Sequence, residues 1–164
     1  MELGDIRTLK KPWVVVMVGA PGSGKSTIAA TIAASYGAVV LSADDMRERI
    51  TGDAGNKTVN HEAWEMVYAE AKLLLARGGC VVLDGTHARR SERKRTVAMC
   101  KDWGAAAVVA MCVHTSLRTA VLRNTARSRQ VPERAIAMIH AVIQQAPPTQ
   151  SEGFTAVVYI DNEV

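Results

Sequence analysis

Apolar residues in this chain fall into short unbroken runs, separated by longer stretches where they recur every three or four positions. The runs are Trp13-Val14-Val15-Val16-Met17-Val18, Ala38-Val39-Val40-Leu41, Cys80-Val81-Val82-Leu83, about 106–113 and about 155–160. Four of them are apolar at every position, as in parallel strands covered on both faces. The intervening stretches predict helices. One runs to Tyr36, with Gly37 placed just past its C-cap. A short one covers Met46 to Ile50. Another spans about Asn60 to Arg77, carries Ala63, Val67, Ala71 and Leu74 at helical spacing, and stops at Gly78-Gly79. Ser91 can cap a helix to about Trp103, which Gly104 stops. Ser116 can cap the next, with Leu117, Val121 and Leu122. Pro132, in an N1-like position, opens the last, to about Gln145. Residues 51–57 and 146–153 read as loop and linker, and residues 1–12 as a frayed lead-in. Strands alternating with helices indicate βαβ units and one three-layer α/β domain over residues 1–164.

Composition narrows the class. A chain of 164 residues that is 48% apolar fits a single globular domain. No apolar run reaches the roughly 18 residues of a membrane span. Residues 1–12 hold two acids and no apolar segment, unlike a signal peptide. Cys80, Cys100 and Cys112 are odd in number and not closely paired. They read as reduced, buried thiols, which predicts a cytoplasmic protein. Net charge is +4, but residues 89–129 alone carry +8, with only Glu92 and Asp102 as acids. Such one-sidedness suggests a polyanionic partner, although solvated helix faces would look the same.

Candidate chemistry begins after the first run. Gly19-Ala20-Pro21-Gly22-Ser23-Gly24-Lys25-Ser26-Thr27 fits G-x-x-x-x-G-K-[ST], the phosphate-binding P-loop. A strand precedes it and a helix follows, which is the context the motif needs. The glycines let the backbone turn tightly, so that successive N–H groups face phosphate oxygens. The helix adds its positive end. Gly22, Ser23, Gly24, Lys25, Ser26 and Thr27 are therefore candidates for binding ATP or another nucleoside triphosphate. Lys25 reaches the β- and γ-phosphates, and the Ser26 hydroxyl suits Mg²⁺.

In a parallel sheet, ligands sit beyond the C-terminal strand ends. Ser42-Ala43-Asp44-Asp45-Met46-Arg47 and Asp84-Gly85-Thr86-His87 both reach that edge. One aspartate of the Asp44-Asp45 pair can take a proton from an acceptor hydroxyl, and the other can cap the short helix. Arg47 can hold an acceptor phosphate or be a plain surface arginine. Asp84 looks like a Walker B acid acting on Mg²⁺ through water, or like another cap. Thr86 and His87 stand where substrate could touch them, though a lone loop histidine is often incidental. His61, His114 and His140 form no metal pattern. Arg123 and Arg127 are four apart and predict one helix face, with Arg129 just beyond. Together with the restart at Pro132 they suggest a helix-hairpin lid over about 116–145, whose arginines neutralise a transferring phosphoryl group.

The whole pattern resembles the P-loop polynucleotide 5′-kinases of bacteriophages and bacterial RNA-repair systems. The likeness rests on the P-loop, Ser42-Ala43-Asp44-Asp45-Met46-Arg47, Val82-Leu83-Asp84-Gly85-Thr86-His87 and Arg123-Asn124-Thr125-Ala126-Arg127, with Glu152-Gly153-Phe154 before a valine-rich strand. It implies a five-stranded parallel sheet of order 2-3-1-4-5. It also implies ATP- and Mg²⁺-dependent transfer to the 5′-hydroxyl end of DNA or RNA. On this likeness Asp44 matches the general base, Arg47 the contact to the phosphate 3′ to the accepting nucleoside, and Lys25 and Ser26 the ATP and Mg²⁺ contacts. Arg123 and Arg127 match the lid arginines on ATP. His87 stands where many members have asparagine. No phosphatase or ligase domain accompanies these residues, so 3′-end repair or sealing would fall to other chains.

Two other functions fit the same residues. A P-loop kinase could act on a nucleoside, another small hydroxyl compound, or a hydroxymethylated base in DNA. A nucleotide-binding switch would bind ATP and have no need of Asp44 and Arg47. The sequence leaves the oligomeric state open, a homodimer or higher homo-oligomer included.

Overall fold

The computed structural model describes residues 1–163. Five parallel strands form one sheet: β1 (Trp13–Val18), β2 (Val39–Ser42), β3 (Val81–Asp84), β4 (Ala107–His114) and β5 (Ala156–Asp161). Their order is β2-β3-β1-β4-β5, as the resemblance implied. The helices are α1 (Lys25–Tyr36), α2 (Ala43–Thr51), α3 (Asn60–Ala76), α4 (Arg90–Asp102), α5 (Leu117–Thr125) and α6 (Glu133–Gln145).

Every residue of β1 is buried, because side chains alternate between two covered faces. Val14 and Val16 join Met46 of α2, Ala63, Val67, Ala71 and Leu75 of α3, and Val97 of α4. Trp13, Val15 and Met17 pack on the opposite side with Ala29 and Ile32 of α1. Continuous apolar runs thus supply two cores at once. β1 and β4 are neighbours, yet the chain leaves β1 toward β2 at one edge and β4 toward β5 at the other. That divergence opens a crevice at the C-terminal end of β1, where the P-loop lies.

Four local expectations change. Residues 1–12 are not frayed: Leu3–Thr8 forms a 3₁₀ helix with Ile6 fully buried against the α1-side core. Leu3, Ile6 and Leu9 repeat every three residues, the period of a 3₁₀ helix rather than of an α-helix or strand. Helix α4 starts at Arg90, not after a Ser91 cap; the Glu92 carboxylate accepts from the Arg89 N–H instead. Pro132 is the N-cap of α6 rather than N1, its carbonyl receiving the Ala135 and Ile136 amides. The 146–153 linker contains a 3₁₀ turn, Gln150–Glu152, and buries Glu152. The first reflects a period shorter than an α-helical turn, the two helix starts reflect local capping bonds, and the buried Glu152 reflects a partner distant in sequence.

Candidate active site

Between β1 and α1 the loop turns through Gly22 (φ 84°) and Gly24 (φ 89°), both left-handed. A Cβ on Gly22 would collide with the Ala120 carbonyl of α5, and one on Gly24 with the Asn162 side-chain amide. Glycine is needed here for conformation and for space alike. As the first residues of α1, Lys25, Ser26 and Thr27 present amides that lack intrahelical acceptors. These three line the cleft that opens above the loop, as do Gly22 and Gly24. Ser23 is different: its side chain is buried away from that cleft, and its N–H is bonded to Ala20. Its carbonyl accepts from Asn162 Nδ2 at 2.8 Å and Arg123 Nη1 at 3.4 Å.

Burial lowers the Lys25 pKa from the ordinary 10.5, an effect opposed by Asp84 and Asp44. Ser26 Oγ donates to Asp84 Oδ2 at 2.7 Å. Asp84 Oδ1 is buried without a partner among the described residues. A hydroxyl and a carboxylate with an unused oxygen form a hard-oxygen set that fits Mg²⁺. Asp84 does not cap a helix, since α4 begins only at Arg90.

The aspartate pair is sorted by Ser42. Its hydroxyl accepts from the Asp45 N–H at 3.1 Å and caps α2, which starts at Ala43 rather than Met46. Neither aspartate is the cap. Asp45 is exposed and does not line the cleft, whereas Asp44 does. Two arginines hold Asp44. Arg47, one turn on, is ion-paired to Oδ1, and Arg129 Nη2 donates to Oδ2 at 2.8 Å. Arg47 is not a surface arginine; it is 2% exposed. Its Nε donates to the Ala54 carbonyl at 2.6 Å and its Nη1 to Asn60 Oδ1 at 2.7 Å, fixing the guanidinium from behind.

Arg123 and Arg127 do not share a helix face, because α5 ends at Thr125 and Arg127 lies in the following loop. Both nevertheless line the cleft. Arg123 Nη2 donates to the Asn162 carbonyl at 2.7 Å. The buried Asn124 shapes the arginine loop: Oδ1 accepts from the Val131 N–H at 2.9 Å and Nδ2 donates to the Val131 carbonyl at 2.8 Å.

After β3, the Thr86 carbonyl accepts from the Gly19 N–H at 3.1 Å, joining this loop to the P-loop. His87 is buried, with φ 40° and Nδ1 at 2.7 Å from the Met17 carbonyl. Burial lowers its pKa from the ordinary 6.5. Below it sits Arg93, fully buried and ion-paired to Glu152 at 2.7 Å. Arg93 therefore drops out of the basic window as a surface for a polyanion.

The cleft over these residues has a volume of about 1190 Å³. Seven Lys and Arg side chains line it against four carboxylates, which favours anionic ligands. Among the described residues no three His, Cys, Asp or Glu side chains form a metal cluster, and no helix is long and apolar enough to cross a membrane. Sequence reasoning passed over Trp64, Tyr68, Asn162 and Glu163, and quoted Glu152 only for its likeness without a partner. Only the Trp64-Tyr68 spacing, an aromatic pair one helical turn apart, carried a usable signal.

A family model described as an AAA domain matches residues 14–146. The chain belongs to that family. The AAA domain is also 38% identical over 81 residues to the uncharacterised protein Rv2004c of Mycobacterium tuberculosis, covering 42% of this chain and 16% of the relative. Among solved structures it is similar to a chain of the Pnkp1/Rnl/Hen1 RNA repair complex, with TM-score 0.73, 24% identity, and 82% of this chain and 45% of that one covered. A protein of Chloroflexus aurantiacus J-10-fl proposed to be a kinase gives TM-score 0.72 at 18% identity over 94% and 90% of the two chains. A gluconokinase from Sinorhizobium meliloti 1021 gives 0.58 at 21% identity over 93% and 84%. The AAA domain therefore has the P-loop kinase fold. It spans less than half of the repair-complex chain and about a sixth of the mycobacterial relative.

Proposed function

We propose that this protein is an ATP-dependent polynucleotide 5′-hydroxyl kinase, a single P-loop kinase domain with residues about 116–145 as its lid. What supports the reading is Asp44 and Arg47 opening onto the same cleft as Lys25, Ser26 and Asp84. A nucleotide switch has no use for that second pair. At about 1190 Å³ the cleft exceeds the roughly 300–1,000 Å³ of an ordinary small-molecule pocket, leaving room for donor and acceptor together.

The donor lies along the α1 amides, with Lys25, Arg123 and Arg127 neutralising its phosphates. Mg²⁺, held by Ser26 and by Asp84 through water, supplies further charge neutralisation when bound. Arg47 holds the phosphate 3′ to the accepting nucleoside, and Thr86 and His87 border the acceptor. Asp44 takes the proton of the 5′-hydroxyl as its oxygen bonds to the γ-phosphorus. The bond from that phosphorus to the β–γ bridging oxygen breaks, and ADP leaves. Approach in line is the main requirement, because phosphoryl transfer is largely a matter of positioning.

The test is transfer of label from γ-labelled ATP to 5′-OH oligonucleotides of DNA and RNA. Labelled 5′ ends are expected. Label appearing only on a free nucleoside or sugar would shift the reading to a small-molecule kinase. ATP turnover with no labelled acceptor of any kind would remove it.

A further inference from the structure

The P-loop end of the cleft is polar, but the far end is aromatic. There Trp64 and Tyr68 of α3 stand side by side, with ring centroids 5.5 Å apart. Tyr68 is backed in turn by Trp103 at 5.9 Å. Trp64 is half-buried and lines the cleft. It is seated directly on the loop after β3: a Cβ on Gly85 would lie 2.9 Å from its Cη2 and 3.2 Å from its Cζ2. Gly85 thus gives up a side chain so that the indole can lie against the backbone that follows Asp84. His87 meets the same indole edge-on at 5.6 Å.

The polar lining next to this wall is incompletely used. His87 Nδ1 faces the Met17 carbonyl, so Nδ1 carries the proton and Nε2 is an acceptor. Nε2 is buried and has no partner among the described residues. Arg95, in contact with Tyr68, and Arg47 both line the cleft and add positive charge. An aromatic face, an unused acceptor and cations together suit a planar heterocycle with an N–H edge, attached to phosphate.

We infer that Trp64, braced by Tyr68 and seated on Gly85, is a stacking surface for the nucleobase at the accepting 5′ end. The enzyme would then require a base, and not merely a sugar-phosphate terminus, at the end it phosphorylates. This inference rests on the acceptor reading of the cleft. A stacked base contributes roughly 5- to 150-fold in affinity, with little regard to which base it is.

Binding tests it directly. A 3′-labelled 5′-OH oligonucleotide and a matched one with an abasic 5′ residue are titrated by fluorescence anisotropy, with Mg²⁺ and a non-hydrolysable ATP analogue present. The wild type is expected to bind the base-bearing end roughly 5- to 150-fold tighter. Trp64→Leu should bind both oligonucleotides alike, at the abasic level, with affinity for the ATP analogue unchanged. Trp64→Phe, which keeps a π face and serves if the leucine variant fails to fold, should retain part of the discrimination. Equal binding of both oligonucleotides by wild type overturns the inference. So does undiminished discrimination by Trp64→Leu, or no oligonucleotide binding at all. Label transfer is scored separately. Transfer without base-dependent binding removes the stacking surface and leaves the kinase. Base-dependent binding without transfer to any 5′-OH end removes the kinase and leaves the surface.

Discussion

Two carboxylates in this molecule are each gripped by arginine, and they differ mainly in their access to water. Glu152 and Arg93 have side chains 1% and 0% exposed. Arg93 donates through Nε and Nη2 to both Glu152 oxygens, and also to the carbonyls of Ala88, His87 and Ala146. With every nitrogen engaged, it ties α4, the loop after β3 and the segment before β5 together. Asp44 is 47% exposed on the cleft, held by Arg47 on one oxygen and Arg129 on the other. The first group is closed and can only hold; the second is open on one side and can exchange a partner. Burial, rather than the identity of the pair, separates a closed fastening from a group left open to the cleft.

The widest separation is expected in transfer itself. Asp44→Asn keeps the size and one acceptor oxygen, turns the other into an N–H donor facing an arginine, and cannot take a proton. It should cut the rate of label transfer by about 10²–10⁴-fold. Its unfolding midpoint and its ATP affinity should stay close to wild type. An Asp44→Asn protein with wild-type transfer would show that Asp44 is not the base.

Glu152→Ala should do the reverse. It leaves the Arg93 guanidinium buried and unpaired, a loss of about 3–5 kcal/mol by urea unfolding. Joint replacement, Arg93→Met with Glu152→Leu, should recover most of that loss, because both charges go. If Glu152→Ala costs under about 1 kcal/mol, the buried pair is not the fastening described.

How far these two groups were readable in sequence also separates them. Asp44 follows an apolar run, stands one turn from Arg47, and sits beside a glycine loop, so local spacing exposed it. The sheet was equally readable, since fully apolar runs admit few other arrangements. Arg93 was counted among ten basic residues because charge carries no record of burial. Its partner lies 59 positions on, in a stretch whose Pro, Thr, Gln and Ser composition reads as linker. The Arg123–Arg127 spacing misled for a related reason: Asn124 closes the loop onto Val131, which ends the helix between them. Trp64 went unremarked because its seat against Gly85 lies 21 residues away and on another element.

Acid should weaken the closed region through His87. His87, whose carbonyl accepts from Arg93, is buried in its neutral form and has its pKa lowered by desolvation. In the unfolded chain it titrates near the ordinary 6.5. Its contribution is therefore fully present above about pH 6.5 and declines as pH falls from there toward the lowered folded value. His87→Gln should flatten the pH dependence of unfolding in that interval. An unchanged slope would mean that His87 accepts a proton in place. Glu163, exposed at the far end of the chain, is held down to about pKa 2 by the Ser116 N–H and the hydroxyls of Thr119, Ser116 and Thr115. It should act only in a lower interval, from about pH 4.5 toward 2.

The smallest effect is expected where the open group meets the arginine loop. Arg129 and Asp44 are both partly exposed, at 34% and 47%, so their ion pair is screened by water and by salt. Arg129→Gln should change stability by only about 0.2–1 kcal/mol in dilute buffer, and the difference should shrink in 1 M salt. The Glu152→Ala loss should persist at that salt, since ions do not reach a buried pair. Arg129 also occupies the one Asp44 oxygen that Arg47 leaves, and an acceptor hydroxyl needs a carboxylate oxygen to give its proton to. Removing the arginine should therefore alter acceptor KM by a few-fold while leaving ATP KM unchanged. A stability loss as large and as salt-resistant as that of Glu152→Ala would show that exposure does not divide the two groups. A changed ATP KM would instead tie Arg129 to the donor, alongside Arg123 and Arg127, and take it out of the acceptor half.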